Sequence, residues 1–176
     1  MYILLSISGK DRPGIVRDVA ESLLNIHANI EDSSMTALRG RFTMMLIVHL
    51  NDKTDLSELN VTLAELEQRT SLTVQSQVLA DNEVAIESQE PDCVVTVSGA
   101  DKAGIVYAVS DVLADLGVSI VDVSTQSRSS VSGDRYMMAM EAASVGRISE
   151  MKKMLATSAE TLGVDIQVHE LERAIL

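Results

Sequence analysis

The residues best placed to do chemistry lie in Ser8-Gly9-Lys10-Asp11-Arg12-Pro13-Gly14-Ile15-Val16. An apolar run, Ile3 to Ile7, leads in, and an amphipathic run, Ile15 to Ile26, leads out. The segment therefore reads as a strand, a tight polar turn from Gly9 to Gly14 and a helix start. A helix start offers free backbone N–H groups and partial positive charge. Gly14 has no side chain to block approach, so a small carboxylate can reach the N–H groups of Gly14 and Ile15. Asn29, expected near this loop at the start of the second strand, can donate and accept hydrogen bonds at once. A zwitterionic amino acid needs both kinds of partner. The plainer reading is that Gly14 lets the helix pack on the strand and Asn29 closes a turn. The loop does not suit phosphate, because Ile15 and Val16 follow Gly14 where a nucleotide loop has Lys and Ser or Thr.

Ninety residues later the chain repeats itself: Ser98-Gly99-Ala100-Asp101-Lys102-Ala103-Gly104-Ile105-Val106. Ile30-Glu31-Asp32 and Ile120-Val121-Asp122 keep the same offset, which points to duplication. Other chemistry is poorly supported. His27, His49 and His169 have no ligand spacing, and no nucleophile elbow or H-E-x-x-H occurs. The adjacent acids Glu31 and Asp32 would point to opposite faces of a strand. Cys93, the one cysteine, excludes an internal disulfide and reads as a small buried residue beside Val94 and Val95. Neither a metal nor a cofactor is expected.

The elements that must position the loop follow from periodicity. Strands are expected at residues 2–8, 28–38, 42–50 and 72–78, with Arg39-Gly40-Arg41 as a turn. Ile15, Val16, Val19, Leu23 and Ile26 make one helical stripe, with Pro13 in its first turn and Asp11 or Arg12 at the cap. Leu56, Leu59, Leu63 and Leu66 make a second, capped by Thr54 or Asp55. The order is β-α-β-β-α-β. The second half repeats it, with a longer loop at 128–134, a stripe through Ile148, Met151 and Leu155, and Gly117 and Gly163 closing its helices. Right-handed crossovers put the first and third strands side by side in the middle, with both helices on one face. The expected class is α+β: two ferredoxin-like domains, each a four-stranded antiparallel sheet. Residues 1–80 form the first domain, 81–91 a linker and 92–176 the second. The far face of the third strand carries Met45 and Ile47, so another domain or chain is expected to cover it.

Composition narrows the functions. The chain has 176 residues, 46% of them apolar, and a net charge of −12. Residues 1–90 hold 7 basic and 14 acidic residues, and 91–176 hold 7 and 12. Acid in both halves disfavours duplex DNA and anionic membranes. The N-terminus lacks the basic region of a signal peptide, and no apolar stretch reaches the roughly 20 residues of a membrane span. A cytoplasmic protein is expected.

With loop, repeat and element order in place, the sequence resembles two ACT domains in tandem. The resemblance rests on Asp11-Arg12-Pro13-Gly14-Ile15-Val16, on Asn29-Ile30 about fifteen residues later, and on Gly40-Arg41-Phe42-Thr43-Met44. Among tandem forms without an attached enzyme it is most similar to the glycine cleavage system transcriptional repressor family. That resemblance implies a non-enzymatic sensor of a small amino acid such as glycine or serine. It implies contacts from Asp11, Arg12, Gly14, Ile15, Asn29 and Ile30, at an interface between paired domains. The matching second set is Asp101, Lys102, Gly104, Ile105, Ser119 and Ile120, expected to be weaker because Pro13 becomes Ala103 and Asn29 becomes Ser119. A homodimer or larger assembly is expected, with a transcriptional activator protein as the implied partner. The rival reading is an interaction module whose pocket stays empty.

Overall fold

A computed structural model describes residues 1–51, 55–85, 89–128 and 134–171. The chain divides into two units, Met1–Glu87 and Ser88–Leu176, each with its own core.

In the first unit, β1 (Tyr2–Lys10) buries Ile3, Leu5 and Ile7 and turns the alternate residues to the other face. It leads to α1 (Ile15–Asn25), whose buried residues are Ile15, Asp18, Val19, Ser22 and Leu23. The chain returns as β2 (Asn29–Leu38) and β3 (Arg41–His49), joined at Arg39 and Gly40. Both turn residues have positive φ, 49° and 74°, as a two-residue turn matched to strand twist requires. Then α2 (Leu56–Thr70) crosses back to β4 (Thr73–Val78). Asp55 caps α2, its carboxylate accepting from the Glu58 N–H at 2.8 Å. Thr54, the other expected cap, lies outside the described residues.

The sheet order is β2-β3-β1-β4, all neighbours antiparallel, so β1 and β3 are central as the crossover argument requires. Phe42, Met44, Leu46 and Val48 join the β1 row and the stripes of α1 and α2 in a single core. At about 25 cal/mol per Å² of apolar surface, a buried Leu or Ile contributes roughly 2 kcal/mol. All ten residues of β2 are exposed, as an edge strand's can be.

The second unit repeats the plan after a short helix, α3 (Asp81–Val84): β5 (Cys93–Ala100), α4 (Ile105–Asp115), β6 (Ser119–Arg128), β7 (Arg135–Ala143), α5 (Ile148–Leu162) and β8 (Asp165–Glu170), in sheet order β6-β7-β5-β8. Gly117 and Gly163 take the expected left-handed conformation at φ 65° and 63°.

Local structure differs from expectation at four places. β1 continues through Gly9 to Lys10, so Gly9 belongs to the strand; a Cβ there would stand 2.6 Å from Leu72 Cδ2. The matching Gly99 is as confined, 2.8 Å from Val164 Cγ1. Gly14, at φ 89°, is the N-cap of α1, which leaves Pro13 outside the first helical turn and neither Asp11 nor Arg12 at the cap. Residues 81–84, expected to be irregular linker, form α3. The register shifts between Ile30 and Asp32, so Glu31 is bulged out of the alternation assumed for Glu31 and Asp32; β6 has the same shift between Ile120 and Asp122. The core of the loop expected at 128–134, residues 129–133, lies outside the described residues.

Candidate functional site

The loop between β1 and α1 is held at both ends. Its Asp11 N–H donates to Gly40 O at 2.9 Å, tying it to the β2–β3 turn, and Asp18 N–H donates to Gly14 O at 3.0 Å in the first helical turn. No side chain caps α1, so the amides of its opening turn face outward without an intrahelical acceptor. Gly104 repeats this geometry at φ 94°, again without a capping side chain. An L side chain is strained at such φ, which accounts for glycine at both positions.

Two guanidiniums flank the first helix start and share one carboxylate. Arg12 Nη2 donates to Asp18 Oδ2 at 2.6 Å and Arg17 Nη2 to Asp18 Oδ1 at 3.1 Å. The bond from Arg12, then that from Arg17, holds the Asp18 carboxyl below the usual carboxylate range, against the opposing effect of burial. Asp18 O in turn accepts from Ser22 Oγ at 2.9 Å and from Arg69 Nη2 at 3.4 Å. Two cations on one acid leave one positive charge over beside the helix start, with Asp11 as the other acid of the loop. The sequence reading missed Asp18. Its signal was spacing: Asp18 and Ser22 fall three and seven residues after Ile15, on the buried stripe where apolar residues belong.

The second loop is wired differently. Asp101 Oδ2 accepts from Ser127 Oγ at 2.6 Å, and Lys102 Nζ donates to Leu162 O at 2.7 Å, closing the C-terminus of α5. Tyr107 and Ala108 stand where the first loop has Arg17 and Asp18. The cation of this loop is therefore spent on a helix end.

The structure gathers Asp11, Arg12, Gly14 and Ile15 at one end of the first sheet and puts Asn29 and Ile30 at the other. The register decides this: Lys10 pairs with Arg41 and Arg41 with Leu38, whereas Tyr2 pairs with His49 and His49 with Asn29. The length of β2 separates the ends, roughly 30 Å at 3.3 Å per residue. Asn29 is therefore not near the loop within its own unit. Its Nδ2 donates to Glu31 Oε1 at 2.9 Å, and it is exposed. Ser119 and Ile120 stand equally apart from Asp101 to Ile105, since Ser119 pairs with Ala143 and Arg128 with Arg135.

The remaining candidates are structural. His49 packs against Tyr2, ring centroids 4.7 Å apart, and His169 Nε2 lies 3.4 Å from Thr96 Oγ1. Cys93 is fully buried, and burial, with Asp92 beside it, pushes its thiol up to about 11. Burial would also raise Asp92, but the Ser144 N–H at 2.7 Å and Oγ at 2.8 Å outweigh it and lower that carboxyl. Among the described residues no group of three His, Cys, Asp or Glu is placed to hold a metal. No helix among them is long and apolar enough to cross a membrane.

Two βαββαβ units with glycine-initiated helices lacking a side-chain cap after β1 and β5 define the class: a tandem of small ferredoxin-like α+β domains. The ACT domain family model matches residues 1–77 and again 92–169, and the chain belongs to that family. A UPF0237 protein of Corynebacterium diphtheriae is 33% identical over 84 residues, 46% of this chain and 94% of that relative. A UPF0237 protein of Methanococcus maripaludis is 34% identical over 76 residues, 43% of this chain and 84% of the relative. Among solved structures, an unknown protein from Galdieria sulphuraria superposes with a TM-score of 0.79 at 30% identity, covering 97% of this chain and 98% of that one. A proposed glycine cleavage system transcriptional repressor superposes at 0.74 over 98% of both chains; at 19% identity that likeness is one of fold.

Proposed function

We propose that this chain is a non-enzymatic regulatory protein that senses a small zwitterionic amino acid, glycine or serine in kind. The observation that carries the reading is the glycine-initiated start of α1, without a side-chain cap and with the guanidiniums of Arg12 and Arg17 held beside it by Asp18. The carboxylate of the ligand binds there, with Asp11, Arg12, Gly14 and Ile15 around it. The ammonium takes Asn29 and the backbone near Ile30 from the sheet end of a neighbouring ACT domain, because the two groups of residues lie a strand's length apart in one unit. Asp101, Lys102, Gly104, Ile105, Ser119 and Ile120 form the weaker site, with Lys102 already engaged. Domain bounds of 1–80 and 92–176, with 81–91 between, suit this division of labour. Ligand binding alters association with a protein partner, a transcriptional activator in the cytoplasm, without direct contact to DNA.

A thermal-shift screen of the twenty amino acids tests the reading, because a ligand held only by the folded state must raise the melting temperature. Glycine or serine at millimolar concentration is expected to raise it by several degrees. Asn29→Ala is expected to weaken binding roughly tenfold by calorimetry, the loss of one hydrogen bond to a charged group. Unchanged binding removes Asn29 from the site.

The ten exposed residues of β2 and of β6 favour a second reading, an interaction module that works by pairing sheet edges with its pocket empty. No shift with any amino acid selects it.

A further inference from the structure

We propose that the helix-free face of the first sheet, at the end where β1 finishes, is a docking surface for an acidic segment of a protein partner. The sheet register assembles it. Ser8 stands opposite Thr43 on one side and Thr73 on the other, and Thr36 stands opposite Thr43. Residues directly opposed across strands share a face, so four hydroxyls form one row across all four strands. All four residues are exposed. At about 4.8 Å between strands the row spans roughly 14 Å. Two positions nearer the sheet end on the same face, Lys10 stands opposite Arg41.

Two cations directly opposed weaken a sheet, so this pair needs a reason. Neither Lys10, Arg41 nor the adjoining Arg39 makes an ion pair among the described residues, although the chain carries 26 acidic side chains against 14 basic. Arg39 also holds φ 49°, in a turn where Asn, Asp or Gly is favoured. Of the acids close by in sequence, Asp18 is engaged by Arg12 and Arg17, while Asp11, Glu31 and Asp32 make no ion pair with these three cations among the described residues.

The fold does not demand this surface. In the second unit, Ala100 stands opposite Arg135, and the hydroxyl row becomes Gln126, Met137, Ser98 and Asp165. A methionine and a carboxylate interrupt what the first unit keeps as donors.

Three features select a protein segment. Guanidinium, ammonium and hydroxyl donors match carboxylates. The surface lies open across four strands, which suits an extended chain. It also continues along the same face into a groove of about 190 Å³ whose apolar lining is Leu4, Met45 and Ile47, a seat for an apolar side chain of that segment, with Asp32 on the β2 side keeping the segment's own carboxylates at the Lys10–Arg41 end. A duplex would run past a 14 Å patch onto an acidic protein and be repelled.

The test uses the full chain and a fluorescent decapeptide of Asp and Glu with two Leu, followed by anisotropy. Binding is expected, falling roughly tenfold when salt rises from about 20 to about 300 mM. The double variant Lys10→Glu/Arg41→Glu is expected to lose at least roughly tenfold, and Arg135→Glu in the second unit to lose nothing. Thr43→Met, which introduces the second unit's residue, is expected to weaken binding several-fold and decides the matter if the double variant misfolds. The proposal is overturned by no peptide binding, by equal affinity in the folded variants, or by tighter binding of a single-stranded oligonucleotide of equal charge. Amino-acid shifts by the α1 loop are read separately, so neither result stands in for the other.

Discussion

Asp18 occupies the apolar stripe of α1 and is only 8% exposed, a position an acid keeps when it is paired. Its depressed pKa fixes the sign of a pH effect. The unfolded chain binds this proton more readily, so the stabilisation is full above the ordinary carboxylate value of about 3.9 and is lost as pH falls through the lower native value. Asp18→Asn should therefore melt below the wild type at pH 7, with the gap closing in acid; a constant gap from pH 7 to pH 2 would refute the linkage. The residue scale is also where sequence reading was weakest. Gly14 and Arg12 are visible as motif, whereas Asp18 in the sequence is one polar residue among several between the apolar positions of α1. Its partners, Arg12, Arg17 and Arg69, come from the loop, the helix and another helix. Convergence from three elements leaves no local motif for the partners, and the one trace in the sequence is the placing of Asp18 and Ser22 on the apolar stripe.

At the scale of elements the sequence was far more readable, because hydrophobic period fixes type and crossover handedness then fixes order. Each strand and long helix followed from alternation or from a stripe such as Leu59, Leu63 and Leu66. Misreadings gathered where backbone conformation rather than pattern decides. Proline suggested a first helical turn at residue 13, but the left-handed Gly14 moved the helix start past it. Gly9 looked like turn chemistry and is a close approach to Leu72 inside a strand. Its counterpart gives a prediction. A methyl at Gly99 would meet Val164 Cγ1 at 2.8 Å and its backbone Cα at 3.2 Å, whereas at Gly9 the tight contact is the end of a leucine side chain. Gly99→Ala should cost about 1–3 kcal/mol by urea denaturation, and Gly9→Ala less. Equal costs would show that the valine yields as readily as the leucine.

For the whole molecule, two separate cores and the edge strands β2 and β6, exposed at every residue, set the expectations. Met35 lies in register with the buried Met44, on the helix side of the exposed β2, and is itself 50% exposed. An edge strand with such a residue is a template for association, and a lysine on it is the usual deterrent. Met35→Lys should reduce the mass seen by light scattering towards the 19.0 kDa of one chain, and an unchanged large assembly would clear this edge of the contact. The duplication was legible in the sequence because motif and offset recur together. The inequality of the copies was legible only in part. Ala103 and Ser119 stood out as departures, whereas the capture of Lys102 by the end of α5 depends on a residue sixty positions away.

The separation of Asp11–Ile15 from Asn29 by the full length of β2 bears on how the proposed binding would respond to dilution. On that proposal, one unit would offer a ligand only one of its two arms. If the second arm comes from another chain, binding is of higher order in protein, and apparent affinity must fall as the protein is diluted. If it comes from the same chain, affinity is indifferent to dilution. Titrating glycine at about 1 µM and about 100 µM protein would separate the two. In the first case the protein reports its own abundance together with that of the amino acid.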